Sequence, residues 1–191
     1  MMEQKEIIRW IRTEQEPVPD LCGRNAYRSA AYLKDGVHLP CVLLREARAH
    51  TELALARFEE SRKGGVADPR NLSDHYPNVV KHFVTEGNQV DLYDIARIEP
   101  SPYAIPFSLL SQMGDETSMG WTQFAVLLDE GTEVSFGTSY LNEFFDIPEG
   151  FSWDRVTKVV PHRSRTKPVY RERPFFTCFV DKVEFGKFKP Q

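Results

Sequence analysis

Hydrophobic and polar positions follow a repeating order along this chain. Ile7, Ile8 and Ile11 recur at helical spacing, with Trp10 at the edge of their stripe, and predict an amphipathic helix over 3–15. Pro17 and Pro19 end it, because proline cannot continue a helix. A stripe of this kind packs on its own domain or docks to a partner. In 30–46, two strand-like runs flank Asp35-Gly36, a strong hairpin signal. A helical stretch follows and closes at Gly64-Gly65. In 79–100, two further runs flank Glu86-Gly87-Asn88, and a short helix opens after Pro106. In 121–137, a third pair flanks Asp129-Glu130-Gly131. The segment 139–146 then reads as a helix stopped by Pro148, with Tyr140, Leu141, Phe144 and Phe145 on its buried face.

The order hairpin, then helix, thus occurs three times. Hairpins imply antiparallel pairing. The expected class is α+β: one mostly antiparallel sheet built from ββα units, helices on one face, and an N-terminal amphipathic helix. Further strands are expected near 155–160 and 175–185. The domain reading is a single globular unit over 1–191, with a helical extension at 1–20 and a long loop at 64–78 rich in turn formers.

Composition fits that reading. With 41% apolar and 27% charged residues over 191 positions, the chain can bury a core, and thirteen Phe, seven Tyr and three Trp supply large packing units. The three cysteines, Cys22, Cys41 and Cys178, are widely spaced and form no CxxC pair, which favours a reducing compartment. The charged N-terminus lacks the apolar centre of a secretory signal, and no run approaches the ~18 apolar residues of a membrane span. A cytoplasmic protein without membrane contact is expected.

Charge changes the picture more. The net charge is only −4, yet 98–154 holds ten acidic residues and no lysine or arginine. The next nineteen residues, 155–173, hold seven basic residues and one acid. Large single-sign fields steer partners. In an extended segment Arg163, Arg165 and Lys167 point to one side, as do Arg171 and Arg173, with Tyr170 between. Arginines beside an aromatic can contact phosphates and stack on a base. The simpler reading is that the basic run neutralises the acidic one, in the same chain or a second copy. The acidic balance, and the lack of RNA-recognition, KH or zinc-finger signatures, weigh against nucleic acid.

Candidate chemistry is sparse. His38, His50, His75, His82 and His162 show no metal-ligand spacing, and strand alternation would place His38 and Cys41 on opposite sides. Glu143, Asp146 and Glu149 recur every three residues, as an acidic helical face able to hold a hard cation or simply solvated. Pro148 breaks the helix before the last of them. Cys41 and Cys178 sit in apolar runs and read as inert, leaving Cys22 the best reactive thiol. No GxSxG, SxxK, GxGxxG or GxxxxGK[ST] occurs. Gly137-Thr138-Ser139 resembles a phosphate loop in outline, but it lies in a stretch without cations and reads as a capped corner. No metal or cofactor is expected.

These features favour a non-catalytic binding or adaptor protein. It would act through an acidic surface (115–154) and a basic one (155–173), toward a protein or a second copy, with nucleic acid as a further candidate. The competing reading is a small-molecule enzyme with a pocket near the 64–78 loop, using Asp74, His75 or His82 as acid or base.

Overall fold

The computed structural model describes residues 1–20, 24–48, 51–52, 56, 88–113, 122–138, 144–161, 169–170 and 173–181. The fold is α+β, and most strand pairs are antiparallel. The strands form two sheets rather than the single one expected.

The first sheet is built on β2 (Asn25–Leu33) and β3 (His38–Arg45), joined by the predicted Asp-Gly hairpin. Gly36 takes φ +91°, and the Asp35 carboxylate accepts from the Val37 N–H at 3.0 Å, so the turn is fixed by its own residues. β1 (Pro17–Pro19) and β4 (Ile95–Pro100) lie end to end along the other edge of β2, both antiparallel to it. The proline-rich segment that ends the first helix is therefore an edge strand, where a missing N–H costs no ladder bond. β9 (Phe176–Phe179) completes the sheet, parallel to β3.

Helix α1 (Gln4–Glu14) covers one face of this sheet. Ile7 and Ile11 are fully buried against Ala31, Val42, Leu44, Ile95 and Ile98. Burial of each isoleucine stabilises the packing by about 1.5–3 kcal/mol. The Met2 N–H donates to the Ala96 carbonyl at 2.8 Å and fixes the chain ahead of the helix on β4.

Pro40 sits inside β3, where an interior proline removes a ladder donor. The pairing register shifts there, between Ser29/Val42 and Ala31/Leu39. This bulge overturns the simple alternation expected of His38 and Cys41. His38 pairs with Tyr32, and Cys41 packs with Ala26 and Leu43, so both lie on the face away from α1.

The second sheet is β7 (Val156–Pro161), β5 (Thr122–Leu128), β6 (Glu133–Thr138) and β8 (Val169–Tyr170), in that order. β5 and β6 form the predicted hairpin, with Gly131 at φ +85°. β8 runs parallel to β6. Phe124 stacks on Phe136 at 5.2 Å, and Phe145 meets both rings edge-on. Phe151 and Trp153 extend this aromatic core.

Segment 101–113 joins the sheets. It carries helix α2 (Phe107–Leu110), which opens after Pro106 as predicted. The N–H of Phe107 donates to the Glu16 carboxylate at 2.7 Å. Glu16 also stands 4.0 Å from the buried guanidinium of Arg28, which donates to the Ile105 carbonyl.

The expected helix over 139–146 does not hold at its end. Phe144 and Asp146 are non-helical, and Phe145 forms a bridge through its N–H to the Tyr103 carbonyl at 2.9 Å. Both phenylalanines are fully buried, in different cores. Adjacent side chains reach opposite sides only from extended backbone, so burial on both sides overrides helical spacing here. Leu92–Asp94 is a single 3-10 turn leading into β4, and Val90 and Asn88 make backbone hydrogen bonds to Thr177 in β9. The run at 79–85 and the loop at 64–78 lie outside the described residues. Ala47, Arg48, Thr51, Glu52 and Ala56, from the expected helix after β3, are helical. No helix among the described residues is long and apolar enough to cross a membrane.

Candidate functional site

The acidic and basic runs meet at Arg173. Its backbone N–H donates to the Phe144 carbonyl at 3.0 Å, which places its side chain beside the extended 144–146 segment. The Nη1 atom then donates to Asp146 Oδ1 at 2.5 Å. The guanidinium carbon lies 4.0 Å from the Tyr103 ring centroid, a cation–π contact. Burial pulls the Arg173 pKa down, but the hydrogen bond and charge of Asp146, with Tyr103 and Cys41 adding to them, raise it above its ordinary value. The cation is therefore permanent.

Ser101 organises the floor of this cluster. Its hydroxyl donates to the Pro40 carbonyl at 2.6 Å, the group exposed by the bulge in β3. It also accepts from the Tyr103 N–H at 3.3 Å. Cys41 lies beneath. Burial pushes its thiol up to about 11, although Arg173 and the Ser101 hydroxyl pull the other way. Burial raises Cys178 to about 12, with the Asp91 charge adding to it. Both are neutral thiols at physiological pH, without the thiolate a nucleophile needs.

A second contact joins the two runs. Arg155 donates to Asp129 Oδ1 at 3.3 Å and pairs with Glu130, both in the β5–β6 turn. Its Nη1 also reaches the Gly150 carbonyl at 3.3 Å. The hydrogen bond and charge of Glu130, with Asp129, raise its pKa. The side chain pins the hairpin turn to the start of β7.

Of the other residues singled out from the sequence, Tyr170 lies in β8 opposite Gly137, and Glu149 is exposed beside the turn at Gly150. Arg163, Arg165, Lys167, Arg171 and Glu143 lie outside the described residues, as do Cys22, Asp74, His75 and His82. Asp146 is brought to Arg173, and its extended backbone removes the helical spacing toward Glu149. Among the described residues, no group of three or more His, Cys, Asp or Glu side chains is placed to hold a metal ion.

Several organised polar groups were not foreseen. Asp20 and Arg45 form a nearly buried ion pair at the end of β3. Arg97, Tyr32 and His38 form a row across β4, β2 and β3, with the guanidinium 4.1 Å from the Tyr32 ring and the imidazole stacked on it at 4.4 Å. The Tyr32 hydroxyl donates to Glu99, which also pairs with Arg97. Arg28 had a usable signal: it is the one charge in the run "AYRSAA", and a lone charge in a strand-like apolar run requires a buried partner.

No family model, no curated protein and no solved structure matches this chain.

Proposed function

We propose that this chain is a non-catalytic binding or adaptor protein that meets its partner through charged surfaces, an acidic one from 115–154 and a basic one from 155–173. The observation that carries the reading is the segregation of charge itself, ten acids and no lysine or arginine in 98–154 followed by seven basic residues and one acid in 155–173. At the ends of the basic run, Arg155 pairs with Asp129 and Glu130, and Arg173 with Asp146, which is the neutralisation within the chain that the simpler reading expects, so the reading rests on the cations between these ends. In this reading the end arginines are anchors, and Arg163, Arg165, Lys167 and Arg171, with Tyr170, are the contact group. The partner is a protein with an acidic surface, or a second copy of this chain offering its own 115–154 run. A nucleic acid is the competing anion.

The test replaces Arg163, Arg165 and Lys167 together by Glu. Partner capture and solution mass are compared with the parent chain across a salt series, alongside binding of a single-stranded oligonucleotide. Loss of capture or of self-association with an unchanged melting temperature supports the reading. Unchanged behaviour removes the basic run from the function. Tight oligonucleotide binding that weakens steeply with salt assigns the run to nucleic acid instead.

A further inference from the structure

A cavity of about 340 Å³ opens where the last turn of α1 passes the starts and ends of the first sheet's strands. Arg12, Arg24, Asn25, Tyr27 and Glu46 line it, with Ile11 and Val180 as its apolar wall. Its charged residues, Arg12, Arg24 and Glu46, are remote in sequence from both charged runs, and the site is independent of the function proposed above.

Arg28, Arg45, Arg97, Arg155 and Arg173 each stand within ion-pair distance of a carboxylate. Among the described residues Arg9 and Arg48 make no ion pair, but in this cavity unpaired charges of both signs share one space. Arg12, Arg24 and Glu46 line one cavity, yet none of them makes an ion pair among the described residues, with each other or with a neighbour. Their backbones are held in place. The Asp20 N–H donates to the Arg24 carbonyl at 2.8 Å, closing the β1–β2 turn, and the Val180 N–H donates to the Arg45 carbonyl at 3.0 Å, next to Glu46. The Asp20–Arg45 ion pair ties the same turn to the end of β3. Opposite charges on a fixed frame, apart by more than bonding distance, are complementary to a ligand that carries both signs.

We propose that this cavity binds a small zwitterion, of amino-acid to dipeptide size. Its carboxylate lies against Arg12 and Arg24, and its ammonium group against Glu46. Guanidinium groups suit the carboxylate because their N–H donors match its two oxygens. Asn25 adds a hydrogen-bonding amide, and Tyr27, Ile11 and Val180 accept the apolar part of the ligand.

The test is calorimetric titration of the full chain with free amino acids and dipeptides, with inorganic phosphate and N-acetylated amino acids as controls. Saturable binding of at least one zwitterion is expected, with Kd at or below about 1 mM. Arg24→Gln and Arg12→Gln each weaken it by about tenfold or more. Glu46→Gln weakens it similarly, and abolishes the preference over the N-acetylated form. Arg12 and Arg24 are exposed, so melting temperatures stay unchanged and a folding defect is separated from a binding one. Three results overturn the proposal: no zwitterion binding up to about 10 mM, equal affinity for the acetylated ligand, or phosphate binding untouched by Glu46→Gln.

Discussion

Phe144 and Phe145 are neighbours in the chain, and each is fully buried in a different hydrophobic core. Phe145 joins Phe124, Phe136 and the second sheet, while Phe144 packs with Val18, Ala26, Cys41 and Leu43 of the first. One extended dipeptide therefore couples the two sheets. Truncation of either ring to alanine is expected to cost about 3–5 kcal/mol, measured by urea unfolding. The local signatures differ. Phe145→Ala shifts the Trp153 indole resonance through Phe136, and Phe144→Ala perturbs Val18 and Leu43 instead.

Asp20 and Arg45 form the most buried ion pair among the described residues, with side chains 5% and 13% exposed. Removing one partner from such a pair leaves an uncompensated charge. Asp20→Ala is expected to destabilise the fold by about 3–5 kcal/mol in equilibrium denaturation. Replacing both residues by apolar ones costs much less, because no charge is then stranded.

Arg173 and Asp146 behave differently, since their side chains are 30% and 55% exposed. A double-mutant cycle with Arg173→Gln and Asp146→Asn is expected to give a coupling of about 0.2–1 kcal/mol that shrinks in high salt. Their value lies in placing the chain at 173 on the extended segment rather than in net stability.

The buried thiols give a pH dependence with a definite sign. Folding raises Cys41 from 9.0 to about 11 and Cys178 from 9.0 to about 12. Above pH 9 the unfolded chain releases these protons while the folded chain keeps them. The stabilisation is therefore complete below pH 9 and lost as the pH rises through the folded values. Alkaline denaturation between about pH 9 and 12 should be shallower in Cys41→Ala and Cys178→Ala than in the parent. At pH 8, a thiol reagent should modify these two cysteines only after denaturant is added.

Asp181, just after β9, caps a helix more than a hundred positions earlier. Its carboxylate accepts from the Ala47 N–H at 2.5 Å and the Arg48 N–H at 3.0 Å. An acid at a helix start satisfies free N–H groups and complements the helix dipole. Asp181→Ala is expected to cost about 0.5–2 kcal/mol, with faster hydrogen exchange at the freed amides.

What the sequence determined by itself is the set of features that close within a few residues. The turns at Gly36 and Gly131 need positive φ, and Asp-Gly and Glu-Gly between apolar runs announce them. The α1 stripe, the helix after Pro106 and the apolar settings of Cys41 and Cys178 were legible for the same reason. The tertiary structure alone decided how these pieces combine. It divided the strands between two sheets and drew 144–146 out of helical spacing by burying both of its rings. It placed a bulge at Pro40, and it chose Asp146 and Asp129 as the partners of Arg173 and Arg155. These outcomes depend on contacts between residues far apart in the chain. Local periodicity fixes which side of an element is apolar, but not which other element covers it.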